Sequence, residues 1–440
     1  MSRSPLAPIL AAGLLVCALC PSRARAATLD EALDAAERNS AMLKVAREQV
    51  VQAEAWRGQA FALVSPKLVS EATYTINDKE IVLDFAQLIP EELSSFIDTS
   101  SFEAYVLQQK RALAVSGSVI QPIFDAQSMP LLRAAYANVD SAEQKVRRAT
   151  QQVRGGAAQA YYGAAVARGM ERLAARAVEQ AKAHKALADK QVELGLAPGR
   201  ASIQAELGVA RAERDLAQAR EGVSAAEQAF TSLTGLPREE ATELPSGAMA
   251  VPDSLDEALA RANASRPDIL AAGLDTRAAQ LQATGYRLDW LPTLDARFTY
   301  AYSDNTGFTD DKTIWMLVFK ANWLLWDGGA RIGQTRVAAS QARQARALAE
   351  QTALDVASEV RAAWERMERA SASLAAANHE NELAVENLRL AEIAYQSGGL
   401  TLLEVEDARL GTLASEMTQL QERANRDLAA IALRVAMGDF

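Results

Sequence analysis

Twice in this chain a short run of alternating apolar and polar residues ends at an aspartate and gives way to roughly 70 residues of Ala-, Gln- and Arg-rich helical sequence. The runs are Ser116–Asp125 and Met316–Asp327, and the second passes through Trp326-Asp327-Gly328-Gly329. A helix of that length spans about 100 Å at 1.5 Å per residue, far more than a compact domain needs. A strand feeding straight into such a helix, two times over, builds something elongated.

The duplication extends well beyond the junctions. Thr28-Leu-Asp-Glu-Ala-Leu33 returns as Ser254-Leu-Asp-Glu-Ala-Leu259, an offset of 226 that still holds at Pro66 and Pro292. Each copy opens as a capped helix, with Thr28 or Ser254 as N-cap and Glu31 or Glu257 closing a capping box. The offset has fallen to 202 by Asp125 and Asp327, because a polar segment over about 77–109 shrinks to about 304–312 in the second copy. It is 204 between Gly195 and Gly399, and 203 between Gly235 and Gly438. One unit of helix, strand, loop, strand, very long helix, tight turn and helix therefore occurs twice. The expected boundaries are 27–235 and 254–440, with a Pro- and Gly-bearing linker over 236–253.

Strands are predicted over about 66–76, 110–124, 292–303 and 313–326. In the second pair Leu294, Ala296, Phe298, Tyr300 and Tyr302 alternate with Asp295, Arg297, Thr299 and Ala301, and Trp315, Leu317, Phe319, Ala321 and Trp323 alternate with Met316, Val318, Lys320 and Asn322. One apolar and one wetted face suits a sandwich or a membrane barrel. Four of the six tryptophans, Trp290, Trp315, Trp323 and Trp326, flank or end this pair, as interfacial girdles do. Trp315 and Trp323 lie about 26 Å apart along a strand, near 20 Å after tilt, against an apolar band of about 25 Å. Membrane barrels need about eight strands or more, so several chains would have to share one barrel. The long 77–109 loop is then expected outside the cell, since barrels keep short turns on the periplasmic side.

The helices carry a coiled-coil signal. Val209, Ala212, Leu216, Ala219, Val223, Ala226, Phe230 and Leu233 alternate spacings of three and four. Leu410, Leu413, Met417, Leu420 and Ala424 do the same before a four-residue shift to Leu428, Ile431 and Val435, a stutter. Aromatic residues make up only 6% of the chain, as in long paired helices.

Residues 1–26 have the charged, apolar and small-residue regions of a secretory signal peptide, with cleavage expected before Ala27. Cys17 and Cys20 would leave with it, and so would disulfide or thiolate chemistry. Loss of Arg3, Arg23 and Arg25 would take the formal net charge from −10 to −13, a surface that excludes nucleic acid as a partner. His184 and His379 are isolated on Ala-rich helices, and no phosphate loop, dinucleotide fingerprint, hydrolase elbow or metalloprotease helix occurs. No cofactor or metal site and no enzymatic activity is expected.

The order of these features resembles the TolC family of outer-membrane efflux and secretion channels over essentially the whole mature chain. The duplicated openings, the Trp326–Gly329 junction, the turns at Leu194-Gly195-Leu196 and Gly398-Gly399-Leu400, and the closing glycines Gly235 and Gly438 carry the resemblance. It implies a mainly α fold with a β-barrel part: a homotrimer whose 12-stranded barrel in outer-membrane lipid continues as a 12-helix periplasmic α-barrel. It also implies a passive exit duct working with a periplasmic adaptor and an inner-membrane transporter. The six turn residues just named match the family's adaptor-docking tips. Glu404 and Asp407 fall on its acidic periplasmic constriction, and Tyr395 on a gate tyrosine, while Leu400 stands where well-known members have arginine. From the residues alone, the acidic pair reads first as a solvated helix face, the usual fate of such a charge pair. A periplasmic coiled-coil adaptor without a pore is the alternative, and it has no use for an aromatic girdle on its strands.

Overall fold

The computed structural model describes residues 28–83, 104–237, 250–306 and 311–440. The expected signal peptide, most of the linker and the centres of both interstrand loops lie outside them. In chain order the elements are α1 (Leu29–Asn39), α2 (Ala41–Phe61), β1 (Lys67–Ile76), β2 (Ile81–Leu83), β3 (Tyr105–Gln108), β4 (Arg111–Phe124), α3 (Ser128–Glu193) and α4 (Arg200–Thr234), then α5 (Leu255–Ser265), α6 (Pro267–Leu288), β5 (Thr293–Ser303), β6 (Thr313–Asn322), α7 (Ala330–Gln396) and α8 (Leu402–Met437).

Each repeat opens with two helices where one was expected. The break is local chemistry: Ser40 adopts an extended conformation and its hydroxyl accepts from Leu43 N, while in the second repeat Arg266 is extended ahead of Pro267 at the first helical position. The first opening box forms as the sequence suggests, Glu31 N donating to Thr28 Oγ1 at 3.3 Å and Thr28 N to Glu31 Oε2 at 2.8 Å; in the second, Glu257 N donates to Ser254 Oγ at 3.3 Å, but the Glu257 carboxylate accepts from Asp253 N at 3.2 Å, one residue before the N-cap. Asp125 and Asp327 do the same work at both strand-to-helix junctions, each accepting from the backbone N–H two residues on, Gln127 or Gly329, at 3.0 Å.

Two compact units divide the described chain, and each draws on both repeats. One comprises 40–155, 249–369 and 429–440. It holds a four-stranded antiparallel sheet in the order β1-β4-β5-β6, beside the small β2-β3 ribbon. The register brings Leu68, Val119, Phe298 and Leu317 into one cross-strand row, and Gly117, Tyr300 and Trp315 into another, all on one face. Phe298 and Trp315 stack with centroids 6.4 Å apart. On the opposite face Ser118 and Thr299 hydrogen-bond at 2.9 Å. Among the described residues nothing packs over the apolar face: Leu68, Tyr300, Trp315, Leu317 and Phe319 are all exposed.

The helical core of this unit sets Val356, Val360, Ala363 and Met367 of α7 against Ala430, Leu433, Ala436 and Met437 of α8, closed by Ala258 and Ala262 of α5. The end of α8 is its most elaborate feature. A helix leaves its last four carbonyls without internal partners; here Arg148 Nη1 reaches Val435 O at 3.1 Å, Arg266 Nη1 reaches Ala436 O at 2.7 Å, Ser265 Oγ reaches Met437 O at 3.3 Å, and Gln151 Nε2 reaches Gly438 O at 2.7 Å. Arg266, 2% exposed, is held in turn by Asp268 at 2.7 Å and Glu359 at 2.6 Å.

The described residues of the other unit are 28–39, 156–237 and 370–428. Tyr161, Tyr162 and Phe230 meet edge-on with centroids 6.1 Å apart, and burial beside Asp427 pushes the Tyr162 hydroxyl up to about 12. Gly169 is a notch on α3: an added Cβ would sit 2.6 Å from the Leu420 side chain of α8. Asn39, at the end of α1, donates its side-chain amide to Thr234 O at the end of α4. The α4 seam follows the expected heptad as far as Phe230 and then moves by four to Thr234, leaving Leu233 47% exposed.

Candidate functional site

Both helix-to-helix turns are Schellman motifs. Gly195, left-handed at φ 70°, donates to Val192 O while Leu196 N donates to Gln191 O; Gly398, at φ 78°, donates to Tyr395 O while Gly399 N donates to Ala394 O. Gly195 is therefore the counterpart of Gly398, not of Gly399, and the repeat offset is 203 from this turn to the chain's end. The correction matters for the two leucines. Leu196 follows its glycine directly and is 76% exposed, with Leu194 exposed beside it. Leu400 lies one position further on and packs against Ala391, Val405 and Ala408.

Glu404 and Asp407 are both exposed on one face of α8, and with Leu400 they line a cavity of about 410 Å³. Asp407 also borders a larger one, about 1160 Å³, between α3, α4 and α8, where His184 is found. Tyr395 is exposed in the last turn of α7 and lines neither. Thr401-x-x-Glu404 is a third capping box: Thr401 N donates to Glu404 Oε2 at 2.7 Å, Thr401 Oγ1 at 2.8 Å. These two bonds hold the Glu404 carboxyl below its ordinary value. The sequence reading missed that box although the spacing was present, and it missed Arg409, which pairs with Glu392 at 2.8 Å and with the buried Glu406 at 3.2 Å. Arg409 neutralises two neighbouring acids, so Glu404 and Asp407 carry the unpaired charge of this turn.

Trp315, Trp323 and Trp326 are each more than half exposed. Trp290 is engaged: its carbonyl accepts from Trp323 Nε1 at 3.1 Å, and the Arg331 guanidinium lies 4.4 Å from its ring centroid. Arg331 also binds Asp327 at 3.1 Å and donates to the carbonyls of Asp289 and Leu324. One buried arginine thus fixes the angle between β6 and α7. None of the described helices is long and apolar enough to cross a membrane.

Four strands share one bare apolar face, and each pair runs into a helix of 66 or 67 residues. Residues 258–439 match the sequence model of the family described as outer membrane efflux protein. The chain is 28% identical over 239 residues to the outer membrane efflux protein BepC of Brucella suis biovar 1 (strain 1330), an alignment covering 53% of this chain and about half, 52%, of that relative. In fold it is similar to CusC (TM-score 0.73, 19% identity, 94% of this chain and 92% of that one), to VceC of Vibrio cholerae (0.72, 19%, 93% and 96%) and to the open state of MtrE of Neisseria gonorrhoeae (0.70, 18%, 93% and 88%). The second repeat thus carries the outer membrane efflux protein domain, on a chain with the fold of the TolC-type channels that the sequence resembled.

Proposed function

We propose that the protein is the outer-membrane exit duct of a tripartite efflux or type I secretion system, conducting substrates passively to the exterior. Residues 1–26 direct it out of the cytosol, and three copies close their sheets into one 12-stranded barrel continued by twelve periplasmic helices. A periplasmic adaptor meets the tips around Gly195 and Gly398, and an inner-membrane transporter supplies the energy. The observation that carries this reading is the sheet: among the described residues its apolar face is uncovered, and its edges β1 and β6 each leave ten residues without a second partner strand. Lipid satisfies no backbone group, so such edges must meet other copies. Ten residues at about 3.3 Å, tilted about 45°, give a height near the apolar band of an outer membrane.

Sedimentation of the detergent-solubilised protein, corrected for bound detergent, should give three copies. A monodisperse monomer with intact secondary structure would end the barrel reading. At the tips the leucines separate docking from folding. Leu196→Asp, at an open position, should abolish transport by a reconstituted assembly while leaving trimers intact. Leu400→Asp should also loosen the α7–α8 turn, because it buries a charge against Ala391 and Val405. Normal transport by Leu196→Asp removes the first tip from the interface.

A further inference from the structure

On the face turned away from Trp315 and Phe298, the sheet register places Lys67, Ile120, Arg297 and Val318 in a single row across all four strands. The next row on that face, toward the helices, contains Asp295 directly opposite Lys320. With strands about 4.8 Å apart, Lys67 and Arg297 are separated by about 10 Å, and Lys320 is a diagonal neighbour of Arg297. Lys67, Arg297 and Lys320 are exposed, and none of the three makes a side-chain ion pair among the described residues. Further along, the same face carries Ser118, Thr299, Ser116 and Thr73, with Glu71 as its one acid besides Asp295. A chain with formal net charge −10 therefore concentrates three cations and one carboxylate at the helix-proximal end of this face. The half-buried Ile120 and Val318 alternate with the cations of the first row. A small inorganic ion uses only the charges of such a row, whereas an anion with an apolar body uses both.

We propose that Lys67, Arg297 and Lys320 form a basic belt on the lumen side of the barrel, where strands meet helices, and that it attracts amphiphilic organic anions in transit. The inference rests on the duct reading above, which turns this face to the water-filled interior. Three copies would set nine cations against three Asp295 carboxylates around one lumen, where like charges sum into a common field.

The full-length protein in planar bilayers, with 1-octanesulfonate added from the barrel side, tests it. Octanesulfonate should reduce the single-channel current at a concentration about tenfold below that of ethanesulfonate, which shares its head group, the contact of a few methylenes being worth a factor of that order. Octyltrimethylammonium, with the same tail and the opposite charge, should not compete. In Lys67→Gln/Arg297→Gln/Lys320→Gln the half-blocking concentration should rise about tenfold or more, the order expected for losing one charge-assisted contact. Arg297→Lys keeps the charge and should keep the block; trimer retention on unheated gels certifies each variant, and Lys67→Gln alone, with a partial loss, serves if the triple variant does not assemble. Conducting channels blocked alike in wild type and these charge-removing variants overturn the belt alone. A trimer that conducts nothing overturns the duct reading, and the belt with it.

Discussion

Arg266→Met should destabilise the sheet-bearing unit by about 3–5 kcal/mol, the cost of removing one partner from a buried charge network. The side chain is 2% exposed, and its loss would leave the Ala436 carbonyl, Asp268 and Glu359 without their shared donor. Arg148, 3.6 Å from Asp268 and 3.4 Å from Glu359, would remain as partial compensation. Three carbonyls of α8 and that of Gly438 are capped at this spot, so the damage should appear as lost hydrogen-exchange protection in α5 and the last turns of α8. The exposed pair Arg261–Glu257 supplies the contrast, since its rupture should cost at most about 1 kcal/mol. A wild-type denaturation midpoint for Arg266→Met would show the network to be dispensable.

The same cluster has a pH signature. Burial pushes the Asp268 carboxyl up, but the guanidinium groups of Arg266 and Arg148 outweigh it and hold the group below the usual aspartate value. A depressed carboxyl contributes stability that is present above the unfolded value of about 3.9 and is lost as pH falls through the folded one. Wild-type protein should therefore lose this contribution only in strong acid. In Arg266→Met burial faces less opposition, and acid sensitivity should begin at higher pH.

What could be read in the sequence was what depends on near neighbours. The alternation gave the strand expected over 292–303 almost to the residue, because a two-residue period needs no knowledge of the partner, whereas the strand expected over 313–326 ends at Asn322. The Thr28 and Ser254 boxes were equally local. The β2-β3 ribbon was not anticipated within the polar 77–109 segment, since its strands are only three and four residues long. Arg266 stood unremarked among 46 basic residues, because the groups that define it lie at 268, 359 and 436. Gly169 is a notch only by virtue of Leu420, some 250 residues later. The compact units mix both repeats for the same reason: the duplication is written along the chain, whereas packing joins segments that the chain keeps far apart. Among the candidate site residues, spacing placed Glu404 and Asp407 only on one helix face, and the arginine that pairs with their acidic neighbours depends on side-chain geometry.

That geometry sharpens the expectation for the mouth. If Glu404 and Asp407 of three copies converge, six carboxylates should make the channel cation-selective and let trivalent cations block it from the periplasmic side. Glu404→Ala/Asp407→Ala should lose the block and most of the selectivity, whereas Glu392→Ala, at an acid already paired with Arg409, should change neither strongly. Two opposing effects set the pH at which the block disappears. Convergence of like charges raises the carboxyl values, and the two bonds from Thr401 lower that of Glu404. Acidification discharges the carboxylates in either case, so the block should weaken as pH falls. Thr401→Val deletes the hydroxyl bond at 2.8 Å and keeps the backbone one at 2.7 Å. Its block should be intact at neutral pH and should vanish at a higher pH than in wild type. Conductance titrations that superimpose for wild type and Thr401→Val would mean that Glu404 does not face the permeating ions. If the double variant also keeps its block, the acidic pair lies on a solvated outer face and the constriction must be sought elsewhere.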